Sequence, residues 1–218
     1  MICINDNMRV ISDHYSEALI NEIRDQGTES SVLADRLCLL GQRAGQVISG
    51  ELFTEKRSII TPMGHSHTGL HLSDEQIVVI STKDDYEYFA KGISGVMKNT
   101  LRGYMDFDGA RGIQALTQPI RSIKLPDVED KQSVSSVLIA KAILATGCTA
   151  ISLMKKAIEL YNPRHIIIAS VFYTERGVYD VLNEAANTKI YVFGNPDDLN
   201  EDGMLIPGVG DLDTRLKQ

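Results

Sequence analysis

The feature that most constrains this chain is the order of apolar and amphipathic segments in its second half. Short apolar runs at 137–140 (VLIA), 165–171 (HIIIASV) and 189–193 (KIYVF) alternate with stretches of helical spacing at 147–160 and 175–186. In the first of those stretches Ile151, Met154 and Ile158 share one face. A run of four to eight apolar residues bounded by turns fits a strand buried on both faces. Strand, helix, strand, helix, strand then requires right-handed crossovers and a parallel sheet covered on both sides. The expectation is an α/β fold with a central, mainly parallel sheet, built as a single domain over residues 1–218.

The first half is less regular. Ile77–Ile80 is a further all-apolar run and reads as a central strand. Leu33, Leu37, Leu40, Ala44 and Val47 mark one buried helix face, with Ser30 or Ser31 as cap and Gly50 near the end. Residues 57–72 read as a hairpin or surface loop pair, 86–98 as a helix, and 101–121 as a strand followed by an arm. Pro126 opens an acidic turn, PDVED, and the first thirty residues read as helical and loosely packed.

Sheets of this kind bind ligands beyond the carboxyl ends of their strands. Two segments belong there. Leu144–Ala150 (LATGCTA) lies between a strand and a helix start, and residues 199–216 form a Gly-, Pro- and Asp-rich tail. In the first, Gly147 permits a tight turn and close backbone approach. Thr146 and Thr149 add hydroxyls, and a helix N-terminus offers unpaired amides and a favourable dipole to a phosphate. The heptapeptide alone equally fits an ordinary strand–helix turn with Thr149 as N-cap.

LATGCTA resembles the LATGGSA loop that holds the 5-phosphate of phosphoribosyl diphosphate (PRPP) in uracil phosphoribosyltransferases. The stretch LNEDGMLIPGVGDLDTRL is similar to that family's LNEHGYIVPGLGDAGDRL, which forms its uracil site. Lys124-Leu125-Pro126 matches a KLP ahead of the phosphate-loop strand, and Glu175–Val178 roughly matches a P-E-G-I. The resemblance covers most of residues 32–216. It implies a phosphoribosyltransferase-like sheet with N-terminal helices and a small hairpin or hood region. It also implies that Thr146, Gly147, Cys148 and Thr149 cradle the 5-phosphate. The main chain at Leu205, Gly210 and Leu212 would read the uracil edge, Pro207 and Gly208 would shape that loop, and Asp211 would lie near the PRPP ribose and diphosphate.

Some positions depart from the family. Lys141-Ala142 stands where the family has Asp-Pro facing the ribose hydroxyls, and an ammonium there repels Mg²⁺ at close range. After the Ile77–Ile80 run the family has Arg-Ala-Gly for the diphosphate; this chain has Ser81-Thr82-Lys83-Asp84-Asp85. Lys83 replaces the arginine only in part, since a point charge does not copy a planar fork. Asp84 and Asp85 repel diphosphate, and the glycine is missing. Met204 stands where the family usually has Tyr, and Asp213-Thr214 replaces Gly-Asp.

Two readings follow. One is transfer of ribose 5-phosphate from PRPP to uracil, giving UMP and diphosphate in pyrimidine salvage, with Mg²⁺ accompanying PRPP. The other is a catalytically impaired paralogue that holds a pyrimidine nucleotide as a sensor or regulator. An enzyme for another base or sugar phosphate is a third reading. His65, His67 and His71 form H-x-H-x-x-x-H, but no acid or cysteine cluster accompanies them, so no metal site is expected. A net charge of −7 argues against a nucleic-acid-coating role. Three cysteines without close pairing suit a reduced compartment. The N-terminus is too polar for a signal peptide, and no apolar run approaches the roughly 18 residues that span a bilayer. A cytoplasmic homodimer with a small-molecule base or nucleotide as ligand is expected, the dimer by family resemblance.

Overall fold

Each apolar run becomes a strand whose successive side chains enter opposite layers. The computed structural model describes all residues except 1, 4, 5, 109–112, 118, 129–133, 202 and 218. Ile77 and Val79 of the Gln76–Thr82 strand enter one core, and Val78 and Ile80 enter the other. The first core is completed by Leu33, Leu37, Leu40, Ala44 and Ile48 of the helix Ser30–Leu52, with Phe89 and Ile93 of Phe89–Val96. The second is completed by Leu153, Met154 and Ala157 of Cys148–Tyr161 and by Val178 and Val181 of Glu175–Glu184. Full burial of each such aliphatic side chain contributes about 1.5–3 kcal/mol before entropy is counted.

Among the described residues eight strands form one sheet. Their order is Ile2–Cys3, Met8–Ile11, Lys189–Phe193, His165–Ser170, Val134–Ala140, Gln76–Thr82, Thr100–Asp106 and Ser122–Lys124. The six inner strands run parallel, and the two edge strands pair antiparallel. This is the expected mainly parallel α/β sheet with helices on both faces. Parallel register puts Thr82, Ala140 and Ser170 at one edge, where Ser81 and Ala169 each pair with Ala140. The loops that follow these strands are therefore neighbours.

Several local expectations are corrected. The first thirty residues are not loose: Met8–Ile11 joins the sheet beside Lys189–Phe193, and the helix His14–Arg24 buries Leu19 and Ile23. Four residues are too few to show a period, so that strand carried no sequence signal. The helix Ser30–Leu52 starts after Glu29, which makes no side-chain capping bond, and it runs past Gly50. The helical stretch at 86–98 divides into Lys83–Tyr86 and Phe89–Val96. Residues 57–72 do form a hairpin, Thr54–Ile60 with Ser66–Leu72, and most of it is exposed. The strand of 101–121 is Thr100–Asp106, followed by a short helix Gln114–Thr117. The arm residues 109–112 and the acidic pair 129–130 lie outside the described residues. Among the described residues no helix is long and apolar enough to cross a membrane.

The helices Ser30–Leu52 and Phe89–Val96 cross at backbone contact. A Cβ on Gly92 would lie 2.0 Å from the Cys38 carbonyl oxygen, whereas one on Gly95 would meet nothing within 4 Å. Gly92→Ala should therefore lose about 1–3 kcal/mol or more through overpacking. Gly95→Ala should be neutral or gain up to about 1 kcal/mol through helix propensity. Urea unfolding of both variants checks the pair, and equal midpoints would refute the crossing.

Candidate functional site

The segment after the Val134–Ala140 strand runs through a two-residue strand, Ile143–Leu144, into the helix Cys148–Tyr161. Gly147 is the N-cap, in the left-handed region at φ 74°, and supplies no side chain. The Ile151 amide reaches the Gly147 carbonyl at 2.9 Å. The amides of the first turn before it are the donors that a helix N-terminus leaves for an anion. No acidic residue lies in that turn. Thr149 is thus inside the helix and not its cap.

A second layer fixes this turn. Thr174 Oγ1 donates to the Ala145 carbonyl at 2.6 Å and accepts from the Gly177 amide at 2.9 Å. The Thr174 amide donates to the Leu144 carbonyl at 3.1 Å. Two glycines allow the contact. A Cβ on Gly177 would lie 2.4 Å from the Ala145 oxygen, and one on Gly147 would lie 2.9 Å from the Gly177 oxygen.

The tail approaches from the other side. Leu205–Ile206 pairs antiparallel with Asp198–Leu199. Gly208 and Gly210 have φ of 66° and 67°. Two arginines grip this loop from outside it. Arg24 makes a two-toothed pair with Asp197, at 2.6 and 2.9 Å, and donates to the Gly208 carbonyl at 2.8 Å. Arg215 donates to the carbonyls of Ile23, Asp25 and Val209 at 2.6–2.8 Å.

Between the two loops lies a cavity of about 630 Å³, a size suited to a small-molecule ligand. Thr146, Gly147, Cys148 and Thr149 line it on one side, and Met204, Leu205, Gly210 and Leu212 on the other. Lys141, Asp84, Asp85 and Asp213 line it as well, and so do Phe107, Ile143 and Glu201, where sequence reading named no residue. Lys83 and Asp211 are not in that lining. Lys83 pairs with Asp106 at 3.1 Å, and Asp211 caps the short helix Leu212–Arg215 by accepting from the Thr214 amide. His65, His67 and His71 sit on the exposed hairpin. Among the described residues no group of three His, Cys, Asp or Glu is gathered to hold a metal ion.

The altered positions bond to one another. Lys141 Nζ lies 2.7 Å from Asp85 Oδ2, and the same carboxylate accepts from Thr82 Oγ1 at 2.8 Å and from the Ala142 amide at 3.2 Å. Asp85 is thus a neutralised partner and not the unbalanced anion that sequence suggests. Asp84, part exposed, lies 3.6 Å from Lys217. Burial works to lower the Lys141 pKa, but Asp85 beside it, with Asp213 and Asp84 farther off, outweighs burial and raises it. Asp85 is already held by Lys141, Thr82 and Ala142, so this pair supplies no carboxylate ligand for a Mg²⁺ carried by a diphosphate.

Thr174, Arg24, Asp197 and Arg215 are supporting residues that sequence reading missed, and Gly177 was read there only as part of a motif match. Thr174 followed by Gly177 at a strand–helix junction is a readable N-cap signal. The Arg24–Asp197 pair spans 173 positions and leaves no local trace.

Comparison with known proteins identifies the family and the fold. The family model described as "Uracil phosphoribosyltransferase" matches residues 10–216. A uracil phosphoribosyltransferase of Natronomonas pharaonis is 24% identical over 216 residues, 96% of each chain. One from Thermococcus gammatolerans is 23% identical over 197 residues, 90% of this chain and 86% of that protein. Among solved structures, the AQ2163 protein from Aquifex aeolicus shares the fold with a TM-score of 0.78 at 23% identity, covering 96% of this chain and 97% of that one.

The buried pair gives a test. Asp85→Asn leaves an ammonium without its counter-charge and should cost about 3–5 kcal/mol. Lys141→Met should cost less, because Asp85 keeps the Thr82 and Ala142 donors. Urea unfolding at pH 7 ranks the two, and the opposite order would contradict the arrangement. The Lys141 pKa is raised, so the lysine's own contribution is complete below the ordinary 10.5 and is lost as pH climbs through the raised value.

Proposed function

Since the chain belongs to the uracil phosphoribosyltransferase family, we propose that it binds a pyrimidine nucleoside monophosphate, UMP, and that it has lost efficient use of PRPP. The 5-phosphate rests on the amides and hydroxyls of Thr146–Thr149, and the uracil on the main chain of Leu205, Gly210 and Leu212. The observation that carries this reading is the Lys141–Asp85 pair at 2.7 Å. It occupies the wall between the phosphate loop and the loop after the Gln76–Thr82 strand, and both charges are spent on each other. A monophosphate needs nothing further from that wall. A diphosphate would meet the carboxylates of Asp84 and Asp213 there, with Lys141 already paired to Asp85. The reading therefore assigns no metal, and Mg²⁺ would enter only with PRPP.

The second reading, transfer from PRPP to uracil, draws on the near full-length family match and on both loops lining one cavity. Catalysis would then rest on positioning and on electrostatic stabilisation of the departing diphosphate. Asp211 and Lys83 would have to reach the ribose and diphosphate from their present partners.

A homodimer belongs to the same proposal. The hairpin exposes Ile60, Met63 and Leu70 at 70–81%, and it carries Lys56 and Arg57 on a chain of net charge −7. An isolated two-stranded hairpin is marginal by itself, so a second copy is its natural cover. Leu70→Asp should then give monomers by light scattering.

Calorimetry with UMP, and with PRPP plus Mg²⁺, decides between the two ligand readings. UMP should bind more tightly by about tenfold or more, the equivalent of 1.4 kcal/mol of repulsion. Thr149→Val should weaken UMP about ten- to a hundredfold, as loss of a hydrogen bond to a charged acceptor does. Tight Mg²⁺-dependent PRPP binding with rapid UMP formation from uracil would establish the transferase instead.

A further inference from the structure

Resting on the placement of the base at the C-terminal loop, we propose that Arg24 and Arg215 are positioning residues that set the specificity of that loop for the base. Neither lines the cavity. Their effect passes through the backbone they hold. Arg24 fixes the Gly208 carbonyl at 2.8 Å and Arg215 fixes the Val209 carbonyl at 2.8 Å. These are consecutive peptide units. A trans peptide is planar and holds its C=O and N–H antiparallel. Tying both carbonyls toward the arginines turns the N–H groups of Val209 and Gly210 to the other side, and Val209 and Gly210 line the cavity.

The loop cannot set this orientation alone. Gly208 and Gly210 both sit at positive φ, where glycine is as free as any residue to adopt other conformations. The anchor for both arginines is one short segment. Arg24 belongs to the last turn of His14–Arg24, and Arg215 binds the carbonyls on either side of it, those of Ile23 and Asp25. Asp197, 4% exposed, orients the Arg24 fork with both oxygens, and its amide donates to the Tyr173 carbonyl at 2.7 Å. The guanidinium also lies over the Phe172 ring, 4.9 Å from its centroid. Carboxylate, carbonyl and ring together occupy a planar fork, and an ammonium cannot satisfy all three at once.

Chemically, outward carbonyls and inward amides present donors to the base. A ring carbonyl such as O4 of uracil accepts from them, whereas the N4 amine of cytosine would face donor with donor. The arginines thus favour UMP over CMP and over ribose 5-phosphate, which has no base.

The test is calorimetry of wild type, Arg24→Met and Arg215→Met with UMP, CMP and ribose 5-phosphate. Wild type should prefer UMP to both others. In each variant UMP affinity should fall about tenfold or more while ribose 5-phosphate stays within about twofold, the loss of a base contact alone. Variants that keep the wild-type UMP to ribose 5-phosphate ratio would overturn the inference and leave the nucleotide reading standing. A parallel loss of both ligands marks a merely structural role and also overturns it. Wild type that does not distinguish UMP from ribose 5-phosphate overturns both the inference and the reading beneath it. Should a methionine variant fail to fold, Arg24→Lys keeps a cation beside Asp197; it should show the same shift in smaller degree, and an unchanged ratio refutes the proposal.

Discussion

Where two neighbouring parallel strands end, an ammonium and a carboxylate meet inside the wall of the cavity. Lys141 follows the Val134–Ala140 strand, and Asp85 lies just past Gln76–Thr82. Parallel register makes their meeting possible, because Ser81 and Ala140 are directly paired. With side-chain exposures of 17% and 7%, neither charge is fully hydrated. Two charges placed there must balance each other or be removed together. The second-layer bonds from Thr82 and Ala142 complete the carboxylate, so this corner of the cavity is rigid and electrically closed. What remains open is the turn at 144–150 on one side and the C-terminal loop on the other.

The apolar runs at 77–80, 137–140, 165–171 and 189–193 disclosed the inner strands because burial on both faces leaves little room for polar residues. The turn at 144–150 was legible as a strand–helix junction built around Gly147, although its residues alone did not separate a phosphate cradle from an ordinary turn. Met8–Ile11 was hidden by its shortness, and its place in the sheet depends on pairing with residues 190–193, far away in sequence. Asp84 and Asp85 show the limit at the site. Their charges were read correctly, but charge alone did not reveal that Asp85 turns inward to Lys141 while Asp84 turns toward Lys217. Partner choice of that kind is a property of three-dimensional register.

Glycines set the tolerances of both loops, in different ways. Gly177 and Gly147 are small because backbones touch there, with no space for a methyl group. A Cβ on Gly210 would make only an ordinary contact with Arg215 Cδ at 3.8 Å, and the position is distinguished instead by its φ of 67°. The first kind of constraint fixes how closely the phosphate turn rests on the helix Glu175–Glu184. The C-terminal loop combines both, since a Cβ on Gly208 would lie 2.1 Å from the Leu205 oxygen, and two arginines hold its carbonyls.

Those arginines join the two ends of the chain: Arg24 reaches Gly208 across 184 positions and Arg215 reaches Ile23 across 192. Such contacts are highly non-local, and loop-closure entropy delays them. During synthesis the phosphate turn and its supporting helix would leave the ribosome well before the base loop could be clamped. A nascent chain would thus pass through a stage with the Gly147 turn formed and the C-terminal loop still unclamped, and that clamp would be the last contact it acquires.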